Sequence, residues 1–162
     1  MAILATMGVK KVEYADVNST DPTKMPEASA TWTAVDVYQD TCTFVDKDPT
    51  TTTHKSETSS KKITLKTKEG SDLTLSIMDP SMQQLADLEG GTYDKTAKTY
   101  TEPETAVVVE KAWRVTPQAG LVLNIPCASV TAKKNTTYSA TGITLLDLVV
   151  NPTCAVSYEE GK

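Results

Sequence analysis

Apolar residues recur with period two along most of this chain, the spacing of half-buried strands. In DLTLSIM, Leu73, Leu75 and Ile77 alternate with Thr74 and Ser76. Just before it, KKITLKT places Ile63, Leu65 and Thr67 on one side and Lys62, Thr64 and Lys66 on the other. The linking KEGS (68–71) carries a glycine suited to positive φ, so the two runs read as one hairpin with a shared core face. That face comprises Ile63, Leu65, Leu73, Leu75 and Ile77. Further strands are expected at Gly8–Val17 and within Ala30–Asp46, the latter as one bent strand or two short ones. AVVVEKAWRV places Val107, Val109, Trp113 and Val115 on a face that Lys111 interrupts. LVLNIPCASVTA follows after the turn TPQAG (116–120), with Leu121, Leu123 and Ile125 in register. ITLLDLVV (143–150) and a short edge strand near the end complete the set. Seven to nine strands make a mainly β chain, a barrel or sandwich.

One stretch has helical spacing. In DPSMQQLADLEGG, Met82, Leu85, Ala86 and Leu88 form a single apolar stripe. Asp79 is the expected N-cap, and Pro80 suits the first helical position, where its missing N–H costs nothing. Gly90 and Gly91 supply a left-handed stop. The predicted helix spans about 79–90. An isolated helix of this length is marginal in water, so its stripe must pack on the sheet or on a neighbouring chain.

Two polar stretches read as loops, 18–29 with two prolines and 135–142, and 92–105 is a Thr- and Lys-rich stretch. A further stretch, DPTTTTHKSETSSKK (48–62), contains no Val, Leu, Ile, Phe, Tyr or Trp. A connection this long inside a compact domain suggests a functional or mobile loop at 48–61. The 27 threonines, one residue in six, favour pleated strands and polar loops over helix. The length of 162 residues suits a single domain spanning 1–162. A net charge of −5 argues against tight nucleic-acid binding, which needs an excess of Lys and Arg. No apolar run is long enough for a membrane span. MAILATMGVKK has no basic region before its apolar patch and is not read as a leader.

Candidate chemistry is sparse. His54, the sole histidine, has no second anchor for a zinc site or a Ser-His-Asp arrangement. Cys42, Cys127 and Cys154 are odd in number and show no Cys-x-x-Cys pair, so they read as reduced small residues. DVNSTD (16–21) lacks the spacing and terminal Glu of a calcium loop. Asn18 and Asn135 match a glycosylation pattern that carries no weight without a leader. Glu102 and Glu104 flank Pro103 as a solvated pair, and Trp32 and Trp113 read as core or interface residues. The expectation is no enzyme, with no catalytic, metal or cofactor-binding residue.

The order of elements over Asp48–Gly91 nonetheless resembles a family. A long polar loop, a hairpin, and a helix opened by Asp-Pro and closed by Gly-Gly resemble the tail tube proteins of long-tailed bacteriophages. The tubes of type VI secretion and contractile injection systems share that plan. The resemblance implies a β-barrel with a flanking helix that self-assembles into rings, hexameric in that family's usual form, stacked into a tube. It also implies a conduit through which DNA passes without specific binding. It implies a virion (tail) location after synthesis in the bacterial host cytoplasm, with other tail proteins as partners. Residue by residue, Thr50, Thr51, Thr52, Thr53, His54, Lys55, Ser56 and Glu57 fall in the inter-ring loop. The strands 62–67 and 72–78 help wall the channel, and the helix stripe meets the neighbouring subunit. An acidic balance suits a conduit. Lys62, Lys66 and Lys68 are expected at subunit or ring contacts rather than in the lumen. Alternatives are another β-rich virion or surface protein, such as a capsid decoration or adhesin-like module, and an enzyme or small-ligand binder.

Overall fold

The structure is a computed structural model and describes residues 5–161. Most of the apolar start weighed above as a leader, Met1–Leu4, lies outside them. The chain is mainly β, as expected. The strands are β1 (Lys11–Ala15), β2 (Thr33–Val35), β3 (Thr43–Asp46), β4 (Thr50–Lys55), β5 (Lys62–Thr67) and β6 (Ser71–Met78). After the helix α1 (Met82–Glu89) come β7 (Thr92–Asp94), β8 (Thr99–Thr101), β9 (Val109–Thr116), β10 (Leu121–Thr136), β11 (Thr144–Pro152) and β12 (Ser157–Glu160).

Eight strands form one antiparallel sheet in the order β2-β1-β9-β10-β11-β6-β3, with β12 on β10. The sheet curls until its ends meet. Just beyond β2, Val37 bridges Ile77 of β6. Tyr38 N–H donates to Ser76 O at 2.8 Å, and Met78 N–H donates to Asp36 O at 2.7 Å. The segment 36–46 thus follows β6 as an interrupted strand. It is kinked at 39–42, where Asp40 takes a φ of 58°.

Inside lie Leu73, Leu75 and Ile77 of β6, Leu146, Leu148 and Val150 of β11, and Trp113, Ile125 and Val12, all at most 1% exposed. Period two explains β6 and β11 directly: every second residue turns inward. β10 needs an adjustment. Its register with β9 shifts between Ile125 and Ala128. The bulge absorbs Pro126, which cannot donate to a central ladder. It also marks the point where the other neighbour of β10 changes from β12 to β11.

Two expectations about this region fail. Val107 is 47% exposed and precedes β9, and Leu121 is 41% exposed at the start of β10. Val107 lies two residues before β9 and Leu121 opens β10, so neither is covered by the core.

The helix exists, but it starts later than expected. Ser81, not Asp79, is the N-cap. Its hydroxyl accepts from Gln84 N–H at 3.2 Å, and the Gln84 side chain accepts from Ser81 N–H at 3.1 Å. This is a reciprocal capping box of the S-x-x-Q type. Asp79 instead sits at φ 45° and donates its N–H to Thr144 O at 3.0 Å, so Pro80 lies outside the helix. The stop at Gly90 is as expected, in the left-handed region at φ 90°.

Candidate assembly surfaces

The 48–61 stretch is not a loop. Thr50–Lys55 pairs with Lys62–Thr67 as a two-stranded ribbon. Threonine's β-branch favours extended backbone, and pairing satisfies it although nothing becomes buried. The expected hairpin of 62–67 with 71–78 does not form. β6 pairs with β11 and β3 instead, while β5 pairs with β4 outside the eight-stranded sheet. Ile63 and Leu65 are accordingly not core residues; they are 50% and 55% exposed. The other three residues of that expected face, Leu73, Leu75 and Ile77, are buried.

All twelve ribbon strand residues are exposed, and among the described residues neither ribbon strand packs substantially on any element but its partner. Its two faces differ. Thr52 opposite Leu65 and His54 opposite Ile63 form one face. Thr51 opposite Lys66 and Lys55 opposite Lys62 belong to the other. The turn contains Ser56 and Glu57 and is held by Ser56 N–H donating to Lys61 O at 3.0 Å. At the base, the Thr50 hydroxyl donates to Glu69 at 2.7 Å. The eight residues assigned to an inter-ring loop, Thr50 through Glu57, therefore share one projecting strand and its turn.

The helix stripe is graded. Leu88 is buried at 1% exposure, Leu85 and Ala86 are half-buried, and Met82 is 42% exposed. Full burial of a leucine contributes about 2 kcal/mol. Three polar contacts fix the helix across the barrel. Gln84 donates to Ala34 O at 3.2 Å, and the Tyr14 hydroxyl donates to Asp87 at 2.9 Å. Lys134 donates to both Glu89 oxygens, at 2.8 and 2.9 Å, and also pairs with Glu102. Burial works against the Lys134 charge, but the hydrogen bonds to Glu102 and Glu89 outweigh it and raise its pKa above the ordinary lysine value. Burial, then the Asp87 carboxylate, raises the Tyr14 pKa strongly. Leu88 and these contacts hold the helix to its own chain, while Met82 is the exposed apolar residue of the stripe.

Other singled-out residues scatter. His54 stands exposed on β4. Asn18 Oδ1 accepts from Thr20 and Asp21 N–H, so DVNSTD is closed by a local turn. Trp113 is in the core beside Tyr14, with ring centroids 5.4 Å apart. Trp32 lies outside under the Arg114 guanidinium, 4.2 Å from its ring centre. Buried Glu13 holds Arg114 at 3.4 Å and Lys11 at 2.9 Å. The three cysteines are free, and burial pushes the Cys42 and Cys127 thiols up. Among the described residues, no three His, Cys, Asp or Glu side chains converge as a metal site, and no helix is long and apolar enough to cross a membrane.

A cleft of about 700 Å³ lies beside the closure between segment 36–38 and β6. Val35, Val37 and Met78 form part of its apolar lining, Asp36 and Asp40 are acidic members, and Cys42 also lines it. Sequence reading did not anticipate this cleft, because it depends on long-range closure. No protein-family model matches the chain, and no curated protein matches it in sequence.

Proposed function

We propose that this protein is a structural subunit that self-assembles into stacked rings, as a tail tube subunit of a long-tailed phage does. The β4–β5 ribbon carries the reading. A lone two-stranded hairpin is marginal in water and gains stability only against a partner. This one carries exposed Ile63 and Leu65, and among the described residues it packs substantially on no other element of its own chain. A closed barrel with a pinned helix supports the role, because it gives a rigid body from which the ribbon projects. The acidic net charge suits a conduit through which DNA passes without adhering. The companion proposals are a place in the virion tail, synthesis in the bacterial host cytoplasm, and contacts with other tail proteins.

Electron microscopy of purified protein, with sedimentation velocity over a concentration series, tests the reading. Rings or tubes that grow with concentration are expected. A monomer at every concentration overturns it and favours a decoration or adhesin-like module.

A further inference from the structure

We propose that Cys127 and Cys154 form a reversible disulfide, a redox-responsive clip that fastens the segment leading into β12. The site is separate from the ribbon and goes beyond the assembly reading.

The ladder sets the pair up. β10 and β11 are in register as far as Ala128 opposite Pro152. One step further, Thr153 N–H donates to Cys127 O at 2.9 Å, and the Thr153 hydroxyl donates to the same oxygen at 3.2 Å. Thr153 is therefore held opposite Cys127, and Cys154 follows it directly. A residue one step from the opposed position has its Cα about 6 Å away, inside the span that a disulfide bridges. The two thiols are neighbours. Burial raises the Cys127 pKa, Thr153 offsets part of the rise, and the Glu110 carboxylate and the Cys154 thiol add to it.

Exposure sets the order of events. Cys154 is half-buried, and its thiol donates only a long contact to Pro22 O at 3.6 Å. Cys127 is 4% exposed. A small-molecule disulfide is the oxidant. The Cys154 thiolate attacks one of its sulfurs, which releases one small thiol and leaves a mixed disulfide on Cys154. The Cys127 thiolate then attacks the Cys154 sulfur and releases the second small thiol. Two protein thiols are oxidised to one disulfide, one small disulfide is reduced to two thiols, and the protein's two protons pass to them.

The bond closes a loop of about 28 residues containing the second part of β10 and all of β11. It also fixes the start of the short link to β12, whose four residues are exposed and pair with β10. Cys42 lines the cleft beside segment 36–38 and serves as an internal control.

The test is incubation of the purified protein with excess oxidised glutathione, followed by mass spectrometry and peptide mapping without reduction. The expected product is lighter by two hydrogen atoms, yields a linked Cys127–Cys154 peptide and keeps Cys42 alkylatable. It should unfold about 10 °C higher than the reduced protein. Hydrogen exchange at 157–160 should slow at least several-fold, and dithiothreitol should reverse every change. Cys154→Ser should abolish the loss of the two hydrogens. A glutathione adduct that persists on Cys154 while Cys127 stays free overturns the clip. So does a link to Cys42, a link between chains, or no reaction at either cysteine.

Discussion

Tyr14 and Asp87 are joined by a 2.9 Å hydrogen bond across 73 residues of sequence, from β1 to the last turn of the helix. Tyr14 is 2% exposed, so its hydroxyl has little access to water and depends on that carboxylate. Tyr14→Phe removes a hydrogen bond to a charged group and should cost about 2 kcal/mol. In a domain of this size, that lowers Tm by about 6 °C. Thermal unfolding followed by circular dichroism measures it. An unchanged Tm would show that the helix is held without this contact.

The cap provides a sharper comparison. Ser81→Ala should cost about 1 kcal/mol by leaving a first-turn N–H unpaired. Asp79→Gly should cost no cap energy, because Asp79 sits at positive φ and caps nothing. Urea unfolding of both variants ranks them, and the reverse order would return the cap to Asp79.

Stability should fall at high pH. Tyr14 and Lys134 both have pKa values raised above their ordinary 10.0 and 10.5. The folded state therefore binds their protons more tightly than the unfolded chain does. Their contribution is fully present below about pH 10 and is lost as pH rises through the raised values. Urea midpoints should be level from pH 7 to 9 and decline above 10. Tyr14→Phe should flatten part of that decline.

Replacing Thr50–Thr67 with a short Gly-Ser turn should leave thermal stability within about 0.5 kcal/mol, since every residue removed is exposed. The same change should abolish stacking in micrographs. Long tubes from this variant would mean that the ribbon is not the inter-ring element.

Leu88→Asp should unfold the protein or nearly so, because it forces a charge into the core. Leu85→Asp should cost less, since Leu85 is only half-buried. Equal losses on denaturant titration would show that the helix face is misassigned.

The inward rows of β6 were legible because alternation reports a core face wherever one face is buried. The same alternation misled at Ile63 and Leu65. Period two says that two faces differ, not that either is covered by the same chain. The four threonines at 50–53 read as loop because they lack apolar character, yet β-branched backbone preference and a partner strand suffice for a ladder. Ser81 and Gln84 carried the cap signal, but the more conspicuous Asp-Pro obscured it. The cleft had no local signature, since Val37 meets Ile77 only when the sheet has curled shut.

That pairing order also bears on synthesis. β9, β10 and β11 are consecutive neighbours and can pair as soon as they emerge, but β1 pairs β9 across a gap of about 100 residues. At about 5–20 residues per second, Val12 and Tyr14 wait some 5–20 s for their partner strand. During that interval, β1 has neither its β9 partner nor a barrel to close, so the wall is completed only late in synthesis.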